Sequence, residues 1–232
     1  MQSISTGFFG FFFLGGVLAT WGYGLCVAPT EFYQGEVYRI LYLHVPCALS
    51  AFLSALLLCL CSLRVLWQKT ASGNSLWTAR ACAEVGLIYT LLTLFTGSLW
   101  GYPTWGIWWT RDARLTTTLI LAFLYGCYLL LWNTLDSYPL RAKVCSVFGV
   151  LIFIDVPIIY KSVTWWRTLH QPPSLLSPSA PMSSEIFYPL LASILAMLGF
   201  SLWLIAIRSH NVRIQTEIEE ALCHTANGGP QR

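Results

Sequence analysis

Between Phe8 and Ala28 the chain carries no charged residue, and the same is true of Ile40 to Leu63. An apolar run of about 20 residues matches, as a helix, the ~30 Å hydrocarbon core of a bilayer. In that solvent each backbone N–H and C=O must find its partner within the segment, so such runs become helices. Four more runs follow: 81–99 with Glu84 near one end, 115–135, 144–160 with Asp155 and Pro157 inside it, and 186–207. Charged residues are only 10% of the chain and fall mostly between these runs, against about 25% in soluble domains. The expected fold is all-α, a polytopic membrane protein with six transmembrane helices. Residues 1–207 are expected to form the membrane domain and 208–232 a tail. The N-terminal run lacks a basic segment before it and is longer than a typical signal-peptide core, so it reads as an uncleaved first span.

With six spans both termini share a side. Arg64, Lys69, Arg80, Arg141, Lys143, Arg208, Arg213 and Arg232 fall on that side, eight of the thirteen Lys and Arg. The other side receives Arg39, Arg111, Arg114, Lys161 and Arg167. Basic residues favour cytoplasmic loops, so both termini are expected in the cytoplasm. The outer face then receives His44, His170 and the segment at about 100–117; His210 and His224 go to the tail.

That outer segment is the densest chemical feature. Trp105, Trp108 and Trp109 stand beside Arg111, Asp112 and Arg114, with Trp100 just before and Trp165, Trp166 and Arg167 in the last outer loop. Tryptophans at span ends also form the interfacial belt common to membrane proteins. The flanking Gly101, Pro103 and Gly106 suggest instead a shaped loop. Indole rings beside guanidinium groups suit a flat apolar ligand with acidic edges, such as haem. Imidazole is a common haem iron ligand, and arginine forks match propionates. Asp112 either contacts the ligand or anchors the loop by accepting hydrogen bonds. No CxxC pair or CxxCH site occurs, so the eight cysteines read as small buried side chains and covalent haem attachment is not indicated.

Other features stay open. Asp155 is read as structural, near the outer end of its span, although intramembrane carboxylates are often functional. Ile207, Ile214, Ile218 and Leu222 recur at helical spacing in the tail, fitting a surface helix or a docking face for a partner. Two further function classes compete with haem binding: a small-solute transporter and a haem-containing membrane redox protein.

Several segments resemble the CcmC family of haem-handling subunits in system I cytochrome c maturation, part of a wider group named for its WWD domain. They are Ala28-Pro29, Tyr33-Gln34-Gly35, Tyr38 to Pro46, Thr96 to Gly101, Trp105 to Trp109, Asp112 to Thr116 and Ser162 to Gln171. The resemblance implies haem b held non-covalently and transiently, with His44 and His170 as axial iron ligands. The haem loop would be Trp105 to Thr116, joined by Trp165, Trp166 and Arg167. It implies a non-enzymatic subunit of an inner membrane, and the lack of a basic presequence leans toward a bacterial membrane over an organellar one. The subunit would present haem at the periplasmic face to the chaperone CcmE, alongside CcmD and the CcmA and CcmB components of an ABC-type complex. Lipid surrounds the spans, and no nucleic-acid partner is expected. The chain has no GxxxxGK[ST] loop of its own. It departs from the family pattern at Arg111, where tryptophan usually precedes the aspartate, and at Pro172-Pro173, where glycine usually follows the His-Gln pair.

Overall fold

A computed structural model describes residues 2–68, 73–170 and 182–227. Lys69, Pro172, Pro173 and Arg232 lie outside the described residues, as do Gln171 and the side chain of His224. Six helices follow in order: α1 Gln2–Cys26, α2 Leu41–Trp67, α3 Gly73–Trp105, α4 Ala113–Thr134, α5 Tyr138–Trp165 and α6 Ser184–Asn227. All six are long and apolar enough to cross a membrane, and no strand occurs among the described residues. The chain is thus an all-helical, multi-pass membrane protein. A short 3₁₀ turn, Glu36–Ile40, leads into α2.

The helices outrun the apolar segments that announce them. α3 begins at Gly73 rather than near 81, and Arg80 and Glu84 pair one turn apart within it. α5 runs from Tyr138 to Trp165, beyond both ends of 144–160. Asp155 therefore lies ten residues, about 15 Å, below the end of α5, and is buried at 7% exposure. The expectation that it sits near the outer end is corrected: Pro157 lies inside α5 without ending it. α6 continues without a break from the membrane to Asn227, so the tail is the prolongation of a span.

α2 is the central helix. It packs on α3, α5 and α6, while α4 lies against α3 and α5, and α1 leans mainly on α6. Lipid tails are as apolar as leucine, so close contact, not water exclusion, holds such helices together. Small residues on α2 (Ser50, Ala51, Ser54, Ala55, Ser62) are all buried. At Gly149 of α5 an added Cβ would collide with Ser62 Oγ, so any larger residue would force Ser62 to shift. Tyr125 Oη donates to Ala51 O across α4 and α2 at 3.1 Å, and Ser193 Oγ donates to Tyr42 O across α6 and α2 at 2.8 Å. At the end holding both termini, Glu84 accepts from Arg80 Nε at 3.1 Å and from Arg208 Nη2 at 3.0 Å, tying α3 to α6. Glu84 is thereby neutralised in place.

Candidate functional site

The opposite end of the bundle gathers the chemistry. Alternating helix directions bring together the start of α2, the end of α3, the start of α4 and the end of α5. His44 lies in the first turns of α2. Its Nδ1 is 3.0 Å from Thr96 Oγ1 on α3. The Thr96 hydroxyl donates its single proton to Leu92 O at 2.7 Å, so it accepts from His44 Nδ1–H. In that arrangement the ring is the Nδ1–H tautomer, which carries its lone pair on Nε2. Trp100 meets the imidazole edge-on, with centroids 5.8 Å apart, and its Nε1–H donates to Gln34 Oε1 at 2.7 Å. Gly97 lies under the ring: a Cβ there would come within 3.0 Å of His44 Cε1.

His170 is held differently. It follows α5, in the segment 166–170, and its Nδ1 lies 3.0 Å from Asp112 Oδ1. A carboxylate only accepts, so the ring again donates through Nδ1 and keeps Nε2 free. Asp112 is 5% exposed and is the N-cap of α4. It also accepts from Arg114 N–H at 2.9 Å, from Leu169 N–H at 2.9 Å and from the Thr168 hydroxyl. Thr168 Oγ1 in turn accepts from His170 N–H at 2.8 Å. Trp105, the last residue of α3, packs against the His170 ring with centroids 4.8 Å apart. Burial pushes the His170 pKa below its ordinary value, with Asp112 opposing and Arg114 reinforcing that shift. For Asp112, burial alone would raise the pKa. The Leu169 N–H, the His170 charge, and the bonds from Thr168 and Arg114 outweigh it and hold the carboxyl below the usual range.

The non-helical Trp segment is shorter than 100–117. It spans residues 106–112, because Gly106 at φ 78° ends α3 and Asp112 caps α4. Gly106 N–H bonds back to Tyr102 O at 2.8 Å, and Trp108 stacks on Tyr102 at 4.4 Å and 14°. Trp108, Trp109, Trp165 and Trp166 are exposed, as are Arg111 and Arg167. Trp165 and Trp166 pack edge-on at 5.8 Å. Arg114 is half-buried at the start of α4. Arg39 is engaged elsewhere: it donates to Ala28 O at 2.8 Å and pairs with Glu36.

The structure therefore brings His44 and His170 to one end, each with a free Nε2 and a tryptophan against its ring. A profile of the family described as "Heme exporter protein C" matches residues 6–224. The chain belongs to that family. Heme exporter protein C of Escherichia coli (strain K12) is 36% identical over 198 residues, 85% of this chain and 78% of the relative. The Haemophilus influenzae protein of the same name is 35% identical over 195 residues, 83% of this chain and 77% of the relative. A Marchantia polymorpha protein described as a putative cytochrome c biosynthesis ccmC-like mitochondrial protein is 42% identical over 149 residues, 64% of this chain and 62% of its own length.

In this member of the heme exporter protein C family, the supporting residues Gln34, Thr96 and Gly97 fall in segments that carry the resemblance but have no role assigned from the sequence, and Trp100 is placed there only with the outer tryptophans. One signal was present: Thr96-Gly97 and Trp100-Gly101 stand one helical turn apart. That spacing puts a hydroxyl, a gap and an indole on one face of α3.

Proposed function

We propose that this chain binds haem b, non-covalently and transiently, between His44 and His170, and delivers it during cytochrome c maturation. One observation carries the reading: each histidine has its Nδ1 3.0 Å from a fixed side-chain oxygen, an arrangement that supports Nε2 as the iron ligand. The donor set fits haem, and the gap above Gly97 keeps the His44 ring in place. Haem is the cargo here. Bound, it supplies an iron that takes two imidazoles and a flat face for aromatic contact.

The remaining roles follow from position. Trp105, Trp108, Trp109, Trp165 and Trp166 offer rings at the same end. Arg111, Arg114 and Arg167 offer forks for the propionates. Asp112 acts through His170 and the loop, since four donors already surround its buried carboxylate. The excess of basic residues at the opposite end supports a topology with both termini in the cytoplasm, and with it a haem site at the periplasmic face of a bacterial inner membrane. There the chain presents haem to the chaperone CcmE, with CcmD and the CcmA and CcmB components of an ABC-type complex. It is a binding and delivery subunit, not an enzyme.

An optical titration tests this. Purified protein with haem should give the Soret and visible bands of a bis-imidazole complex, and His44→Ala and His170→Ala should each shift or abolish them. Wild-type spectra in both variants would overturn the axial assignment.

A further inference from the structure

At the end of the bundle away from the histidines, a cavity of about 420 Å³ lies among four helices. Its walls include Arg80 of α3, Trp132 and Asn133 of α4, Arg141 of α5, and Gln215 and Glu219 of the α6 prolongation. Haem handling at the opposite end uses none of them. We propose that this cavity binds the phosphoethanolamine headgroup of a membrane phospholipid.

Depth is the first argument. Trp132 stands two residues from the end of α4, about 28 Å along the helix from Ala113. That distance is about the thickness of the hydrocarbon core, so the cavity lies at headgroup level. Trp132 is itself a side chain suited to that boundary.

Charge is the second. The Arg80 and Arg141 guanidinium carbons lie 5.2 and 5.6 Å from the centroid of the Trp132 ring. Arg80 spends its Nε on Glu84 and Arg141 spends its Nε on Leu135 O, at 3.1 and 2.8 Å. Among the described residues, no hydrogen bond engages the terminal nitrogens of either. Glu84 is shared with Arg208, so positive charge is in excess. Two guanidinium forks at one cavity suit the two anionic oxygens of a phosphodiester.

The other wall selects the rest of the headgroup. Glu219 contributes a carboxylate, and Asn133 and Gln215 contribute amide oxygens. Together these accept from an ammonium, which has three N–H donors. A glycerol head would set a net negative lipid against Glu219 and leave that carboxylate without a cation. Choline has no N–H to donate and needs an open aromatic face, whereas the Trp132 ring already carries two guanidinium groups. Ethanolamine satisfies both walls.

The test uses the full-length chain, purified and delipidated. Its lipid binding is read by native mass spectrometry in phosphatidylethanolamine, phosphatidylglycerol or phosphatidylcholine. Wild type should retain the ethanolamine lipid about tenfold more tightly than either of the others, the effect of one charge-assisted hydrogen bond. Glu219→Gln, at an exposed position, should abolish the preference for ethanolamine over glycerol while leaving thermal unfolding unchanged. Arg141→Gln should weaken retention of all three. Equal retention of the three lipids in wild type, or an ethanolamine preference intact in Glu219→Gln, would overturn the proposal. So would binding of water-soluble glycerophosphoethanolamine as tight as that of the lipid, since the ligand would then be a free solute.

Discussion

His44 and His170 are held by opposite means. His44 is part of a helix; its backbone is fixed by α2 and its ring by a neutral hydroxyl, a glycine gap and an indole from one neighbour, α3. His170 stands outside any helix, and its place depends on one buried carboxylate that also caps α4 and binds the Leu169 amide. The helix half is positioned by packing as well as by its hydrogen bond. The loop half is positioned mainly by its hydrogen bonds, with Trp105 packed on the ring. An imidazole that donates to a carboxylate is also more basic than one that donates to a hydroxyl. In the proposed haem site, one ligand is thus fixed by packing and the other by electrostatics, and they should fail under different perturbations.

The largest effect should come from Asp112→Ala. It removes the α4 cap, the partner of His170 and the acceptor of Leu169 N–H together. Haem affinity should fall by about 100-fold, the upper range for losing a group that orients a ligand. Thermal unfolding should report a loss of about 3 kcal/mol from cap and charged hydrogen bonds. The His44 half should survive, giving the spectrum of a haem with one protein imidazole. Loss of all haem binding would show that the halves are not separable.

Gly97→Val attacks the other half. A Cβ at 3.0 Å from His44 Cε1 leaves no room for a branched side chain, so the ring must move. Overpacking of about 2 kcal/mol becomes about 30-fold weaker haem binding. His170 should keep its place, so a titration should again show a haem with one protein imidazole, now supplied by His170. Thr96→Val is milder, because the helix still positions His44 when the hydroxyl is gone. One neutral hydrogen bond is worth about 1 kcal/mol, or about fivefold in affinity, and Thr96→Ser should restore it. A Thr96→Val loss as large as that of Asp112→Ala would erase the proposed difference between the halves.

The two halves also differ in how far they could be read from the chain alone. Six helices follow from apolar length alone, since the bilayer leaves the backbone no alternative. Their ends do not, because charged residues such as the pairs Arg80–Glu84 and Arg213–Glu217 lie within α3 and α6, and the same charges read as loop in a hydropathy scan. Topology was enough to put both histidines on one face. Their supports were hidden. The partner of His44 is 52 residues away and that of His170 is 58 residues away, so both depend on helix packing that no local pattern encodes. Thr96 is hard to see for a further reason: its bond to Leu92 O is the usual habit of a threonine in a helix, and only the approach of His44 gives it a second task. Asp112 was easier, since a carboxylate just before an apolar run is a helix-start signal whatever else it binds.

The smallest effect should be the pH dependence, and it belongs to the loop half. Burial lowers the His170 pKa from its ordinary 6.5. Above 6.5 the ring is neutral whether the loop is folded or not. As pH falls below that value the unfolded loop takes up the proton first, so acid destabilises the folded loop and withdraws the Nε2 lone pair. Asp112 works in the same direction at lower pH, because its own pKa is depressed and its protonation favours the open loop. Haem affinity should therefore change by less than about twofold between pH 8 and 6.5, a group with a pKa below 6.5 being less than half protonated there, and fall below that. Asp112→Asn removes the charge that raises the His170 pKa. The variant should bind more weakly at every pH, yet begin its acid decline at a lower pH than wild type. Thr96→Ser should leave the onset where it is. An onset that moves upward in Asp112→Asn would mean that the carboxylate is not what distinguishes the two histidines.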